Sequence, residues 1–273
     1  MKIFVAAMLI SGAMVGVAPA SGQTRGGFKV DAEVFDYAYR ERFEGQTAVS
    51  EHGVFGAGRL GYVETIGSGA FLRAELLGAF GSVDYRSDDG ESLANLSQDI
   101  LQLDLQVGRD FPLGGGTTLT PFVGLGARLL TDENGGRETG SGLLAYDRNV
   151  SYSYASAGAA ASFRLAGRTN LILSGQYNRI LNGYVRSDLS QVDVDAPNLT
   201  LDLDKGHGLE ASAMLHFGVG GSRLGVGPFV RHWKVGQSDT AVFIDPEDPS
   251  AGIAFFEPRN RTTELGLRLS WSF

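Results

Sequence analysis

Ten stretches of this chain alternate apolar and polar residues, near 28–40, 52–65, 69–85, 97–111, 117–131, 149–165, 168–181, 207–219, 223–236 and 261–273. A period of two places successive side chains on opposite faces of a β-strand, so each stretch predicts a strand with one apolar and one polar face. The clearest apolar rows are Ala70, Leu72, Ala74 and Leu76; Leu101, Leu103, Leu105 and Val107; Leu119, Pro121, Val123, Leu125, Ala127 and Leu129. Further rows are Ala155, Ala157, Ala159, Ala161 and Phe163, then Leu209, Ala211, Ala213, Leu215 and Phe217. Each stretch is long enough to cross a hydrocarbon layer as a tilted strand, which takes about 9–11 residues.

The connections alternate in length. Short ones fall near Ile66–Ser68, Pro112–Gly116, Ala166–Gly167 and Gly220–Ser222, and long ones near 41–51, 86–96, 132–148, 182–206 and 237–260. Short turns at one end and longer loops at the other are the rhythm of a bacterial barrel. Thr120-Pro121-Phe122-Val123 and Gly227-Pro228-Phe229-Val230 each follow a glycine turn, and each proline predicts a missing ladder bond.

The polar faces are charged. In phase they carry Lys29, Asp31, Glu33, Arg59, Arg73, Glu75, Asp104, Arg128, Arg164, Glu210, Arg231, Glu264 and Arg268, seven positive against six negative. Gln102, Gln106, Gln176 and His216 join them. An Arg or Lys facing mid-bilayer costs about 2–4 kcal/mol, so these residues belong inside. About eight strands enclose a lumen that side chains fill, whereas about sixteen leave a water channel. Ten strands are close to the first case. Opposite charges confined there should pair, because an isolated buried charge is expensive. The lumen network expected is Arg59, Arg73, Glu75, Asp104, Arg128, Arg164, Glu210, Arg231, Glu264 and Arg268.

Composition sharpens this picture. Lys2, the apolar run Ile3–Val17 and Ala18-Pro19-Ala20 have the order of a cleaved signal peptide. The expected organisation is a leader over 1–20, a short periplasmic segment over 21–27 and a barrel over 28–273. Cysteine is absent, which removes thiol catalysis and metal-thiolate sites. A net charge of −8 argues against nucleic acid as a partner. Glycine is abundant at 39 residues and proline scarce at 8, which suits short strands and tight turns better than helices.

The last strand ends on Phe273, with Leu265, Leu267, Leu269 and Trp271 in phase behind it. With the leader, the alternation and the loop rhythm, this ending resembles Gram-negative outer-membrane β-barrel proteins. That resemblance implies an all-β, closed antiparallel transmembrane barrel of ten strands with both termini periplasmic. It implies that Leu265, Leu267, Leu269, Trp271 and Phe273 form a signal read by the barrel-assembly machinery. It also implies periplasmic chaperones during export, outer-membrane lipid and lipopolysaccharide as surroundings, and no cofactor.

Candidate chemistry is sparse. The four histidines, His52, His207, His216 and His232, show no zinc spacing. Omptin proteases resemble this chain in being ten-stranded barrels with an Asp pair and an Asp–His couple on opposing loops. Here Asp84, Asp88 and Asp89 lie near one loop, and Asp204 with His207 near another, but the Asp-x-His spacing is absent. The acidic runs Asp88-Asp89-Gly90-Glu91, Asp193-x-Asp195, Asp202-x-Asp204 and Asp245-Pro246-Glu247-Asp248 read as solvated loops, with divalent bridging to lipopolysaccharide as a minor reading. Inward Phe35, Tyr37 and Tyr39 could line a mouth pocket. The expected function is a non-catalytic outer-membrane barrel with a salt-bridged lumen, presenting acidic loops for envelope integrity or surface interaction. A narrow channel for ions or small solutes is the second reading, and a rim-active hydrolase of omptin type the third. The extracellular ligand is not specified.

Overall fold

The computed structural model describes residues 26–193, 196, 198–244 and 252–273. The leader, Asp195 and the run Asp245–Asp248 lie outside the described residues. The described chain is almost entirely β: β1 (Gly27–Phe43), β2 (Gln46–Ile66), β3 (Ala70–Ser87), β4 (Ser92–Arg109), β5 (Phe111–Gly114), β6 (Thr117–Asp132) and β7 (Arg148–Arg164) come first. They are followed by β8 (Thr169–Ser187), β9 (Leu199–Asp202), β10 (Gly206–Val219), β11 (Ser222–Val235), β12 (Thr240–Ile244), β13 (Gly252–Phe256) and β14 (Arg259–Ser272).

Ten of these strands form a ring in the order β1-β2-β3-β4-β6-β7-β8-β10-β11-β14, every neighbour antiparallel. It closes between its first and last strands, with Lys29↔Ser272 joining β1 to β14, while His207↔Arg179 joins β10 to β8. No edge is left in the ring, so every spanning strand has a partner on both sides, as hydrocarbon requires. β5 continues β4 past Asp110, and β9 continues β10 along β8. Both prolines fall at ladder gaps. Pro121 faces the break between β4 and β5, and Pro228 the gap in the β10–β11 register.

The facing matches the alternation. Leu265, Leu267, Leu269, Trp271 and Phe273 are all at least half exposed on the exterior, whereas Glu264 between them is fully buried. On β11 the phase holds without a bulge: Val226 is outside, and Phe229, Arg231 and Trp233 are inside. On β8 the register passes from Tyr154↔Ile180 to Ser153↔Asn182. The unpaired Leu181 is a bulge, and beyond it odd residues such as Val185 turn inward.

Two of the expected long loops are strand. β1 and β2 run through 41–51 and turn only at Glu44 and Gly45, with φ of 49° and 87°. Two positive φ values at the centre make a type I′ turn, whose twist matches that of the flanking strands. β3 and β4 likewise continue into 86–96, with Arg86 opposite Ser92. The physical reason is that the ladder keeps satisfying backbone groups above the membrane, where both faces can be polar and alternation fades. In the loops expected near 182–206 and 237–260, β8 extends to Ser187, β9 adds to it, and β12 pairs with β13 as a separate hairpin.

Candidate functional site

The lumen holds a belt of paired charges. Glu33 on β1 accepts from Arg231 at 2.8 Å, Arg268 at 2.8 Å and Arg59 at 3.4 Å. Glu75 meets Lys29 at 2.7 Å and Arg59 at 3.6 Å, and Asp31 meets Lys29 at 3.2 Å. Glu264 on β14 accepts from Arg231 at 2.5 Å and from Arg128. Arg128 sits on β6, five staves from β14 in either direction around the ring. This one ion pair therefore crosses the full diameter of the barrel.

Neutral amides extend the belt. Arg128 donates to Gln102 at 2.9 Å, Gln102 to Asp104 at 2.9 Å, and Tyr154 to Asp104 at 2.8 Å. Arg73 donates to Gln106, which reaches across to Gln176; Gln176 then donates to Asn178, and Asn178 to Glu210 at 3.0 Å. Nine of the ten expected network residues thus meet. Arg164 does not share their burial. It keeps the inward phase, but it stands at the last position of β7, where the wall ends and solvent reaches it.

Two aromatic clusters interleave with the belt and extend past it toward the loop end. One gathers Phe35, Tyr37, Tyr39, Phe55, Leu77, Ile100 and Phe229, and the other Tyr152, Tyr154, Ile180, Leu203 and Trp233. Phe35, Tyr37 and Tyr39 therefore fill space rather than line a pocket: all three are buried, Phe35 packs on Phe55 and Phe229, and Tyr37 packs on Phe55. Arg231 lies 4.4 Å from the Phe229 centroid, and Arg128 5.6 Å from that of Trp233, so belt and rings pack as one body. Inward glycines make room for the rings. A Cβ on Gly126 would stand 2.3 Å from Tyr154 Cζ, and one on Gly208 2.6 Å from Trp233 Cε3.

Outermost, Arg148 gathers three carboxylates: Glu257, Glu41 at 3.6 Å and Asp132 at 3.8 Å. It also donates to the Tyr39 hydroxyl at 2.9 Å. Glu257 follows the β12–β13 hairpin, so this clamp ties the hairpin to the barrel wall, with Phe256 against Phe43. Burial pushes the Glu257 carboxyl above its ordinary value, against the pull of Arg148. A docked carboxyl with a raised pKa binds more protons than a released one, so docking weakens as pH rises from the ordinary glutamate value toward the raised one. Hydrogen-exchange protection over 252–256, corrected for intrinsic rates, should fall across that window. Constant or rising protection would remove Glu257 as the cause.

With this geometry established, comparison places the chain. The family model for the autotransporter beta-domain matches residues 11–227. The chain belongs to the autotransporter beta-domain family. This autotransporter beta-domain is an integral protein of the bacterial outer membrane. It is similar in fold to the outer membrane protease OmpT from Escherichia coli, at 9% identity and a TM-score of 0.57, covering 90% of this chain and 97% of that one. The translocator domain of the autotransporter NalP from Neisseria meningitidis matches at 12% identity and a TM-score of 0.40, over 90% of this chain and 88% of that one. The beta domain of the Bordetella autotransporter BrkA matches at 14% identity and 0.37, over 89% and 98%. No curated protein matches the chain in sequence.

The remaining candidates of this beta-domain lie apart from one another. His207 stacks on exterior Tyr177 with centroids 6.0 Å apart, and Asp204 lies beside Lys205. Asp84 faces outward on β3 and accepts from the Asn95 backbone, while Asp89 caps its own turn through Ser87. Asp84 and His207 stand on opposing walls, five staves apart, but both are in the outward phase, so neither points across the mouth. His52 pairs with Asp36 at 2.8 Å on the exterior, and His216 lines the inner wall near the termini. There a cavity of about 270 Å³ lies on the terminus side of the belt, walled by Lys29, Arg73, Glu75, Glu210 and Arg268 among others.

Proposed function

We propose that this barrel is a closed, non-catalytic outer-membrane scaffold that presents its raised hairpins and acidic turns outside the cell. The Arg128–Glu264 pair carries the reading, since it spans the diameter with both side chains buried. An open aqueous lumen would leave such groups in water. Here they are buried, paired and packed against the aromatic clusters, and separating them would leave charges unpaired at high cost. The cavity beneath is a blind vestibule on this reading. The family's name speaks of transport, yet a polypeptide passing through this lumen would have to break the belt. The raised hairpins and acidic turns are the surfaces left for envelope integrity or surface interaction.

The test is conductance of the refolded protein in planar bilayers. Wild type should give no steady current over a range of voltages. The Arg128→Ala/Glu264→Ala double variant, with the diametric pair deleted, should show current if it folds. Steady wild-type current would overturn the closed reading in favour of a narrow channel.

A further inference from the structure

The exterior carries a feature unrelated to the lumen. Across five adjacent strands the ladder aligns basic residues side by side. Arg179 on β8 opposes His207 on β10, His207 opposes Lys234 on β11, Lys234 opposes Arg261 on β14, and Arg261 opposes Arg40 on β1. A second pair, Arg42 opposite Arg259, lies just beyond. All are outward, in phase with exterior Tyr177, Leu209, Val230, Leu265 and Val34. Arg40, Arg42, Arg179, Lys234 and Arg259 are exposed, and Arg261 is half-buried. None of these cations takes part in an ion pair among the described residues.

Like charges directly opposite on neighbouring strands destabilise a sheet. A row of them with no anionic partner among the described residues calls for a counter-charge from outside. Its height says which. Arg261 is twelve residues from Phe273, which at roughly 3.3 Å per residue and a tilt of about 40° is a height of about 30 Å. That is about the thickness of the hydrocarbon layer, so Arg261, with Lys234 and Arg40 on either side of it, stands where the outer-leaflet headgroups begin. Five strands at about 4.8 Å make the row about 19 Å long, and because it runs perpendicular to tilted strands its two ends differ in height by about 12 Å. The opposite wall carries Asp84 and Asp99 in the outward phase with Arg86 above them, so it has no comparable row of cations among the described residues.

We propose that this row binds the phosphate-bearing headgroup of lipopolysaccharide in the outer leaflet. Arginine forks suit phosphate oxygens, and the apolar residues directly below suit the acyl chains. A lipid satisfies both features at once, whereas free phosphate would use only the first. The contact is direct, with no divalent bridge to the acidic turns. It holds whether or not the lumen conducts.

Binding of purified lipopolysaccharide to the refolded barrel in detergent tests the site, read by native mass spectrometry and by the shift in unfolding temperature. Wild type should bind the intact lipid and lose most binding to the dephosphorylated lipid. The variant Arg40→Gln/Lys234→Gln/Arg261→Gln should bind about a hundredfold more weakly, each cation near an anionic surface accounting for about fivefold. Heat-modifiable migration reports whether that variant is folded. Equal binding of intact and dephosphorylated lipid by wild type, which needs no variant, would overturn the proposal. So would unchanged binding by a folded triple variant. Competition by inorganic phosphate at concentrations equal to those of the lipid would also overturn it, assigning the row to a free anion.

Discussion

Exchanging Glu264 for alanine is expected to destabilise the barrel by about 3–5 kcal/mol, the cost of breaking a buried charge pair by removing one partner. Glu264 is fully buried and serves two guanidinium groups, Arg128 and Arg231. Arg231 keeps Glu33 as a partner when Glu264 is gone. Among the described residues Arg128 keeps only neutral Gln102 and the face of Trp233, so its charge stays buried without an anion there. Glutamine at 264 should cost less, because it retains an acceptor. Replacing both members by apolar residues of similar volume, Arg128→Met with Glu264→Leu, should recover part of the loss. Urea unfolding in lipid vesicles, followed by tryptophan fluorescence, measures all three. Trp233 packs beside Arg128 and reports the lumen directly, whereas Trp271 lies on the exterior. A loss below about 1 kcal/mol for Glu264→Ala would show that water reaches the belt and screens it.

The facing of each strand was legible because a period of two converts sequence directly into sides. Leu265, Leu267 and Leu269 on one phase fixed Glu264 and Arg268 on the other. Partnership across the lumen was not legible. Arg128 and Glu264 are 136 residues apart, and no local pattern links them; only ring order and shear bring them together. The walls above the membrane were read as loops for a related reason. At Arg40–Arg42 and Val49–Glu51 both faces are partly polar, so alternation disappears while pairing continues. Glu44-Gly45 also lacks the Asn or Asp that commonly marks a type I′ turn. The exterior basic row was invisible because it depends on register. Arg40, Arg179, Lys234 and Arg261 lie in separate strands, and only the ladder sets them side by side. Glycine was read as a turn residue, which accounts for Gly45 and Gly220 but not for glycines in mid-strand.

Those mid-strand glycines yield the second large effect. Gly126 faces inward on β6, paired with Tyr154 on β7, and the tyrosine ring lies over the space a side chain would occupy. Valine there should destabilise the barrel by about 2–6 kcal/mol. Overpacking contributes about 1–3 kcal/mol, since the ring cannot move without displacing Trp233, whose centroid is 5.2 Å away. Displacing the ring also breaks the Tyr154–Asp104 hydrogen bond and leaves a buried carboxylate short of a donor, a further cost of about 1–3 kcal/mol. The two terms separate in a double-mutant cycle with Tyr154→Leu. Leucine vacates the ring's space, so Gly126→Val in that background should lose most of its overpacking cost. The Asp104 cost is then already present in both members of the pair. A coupling below about 0.5 kcal/mol would mean that the two sites act independently. In that case Gly126 would be there for its backbone, and the ring would rest on it without needing it.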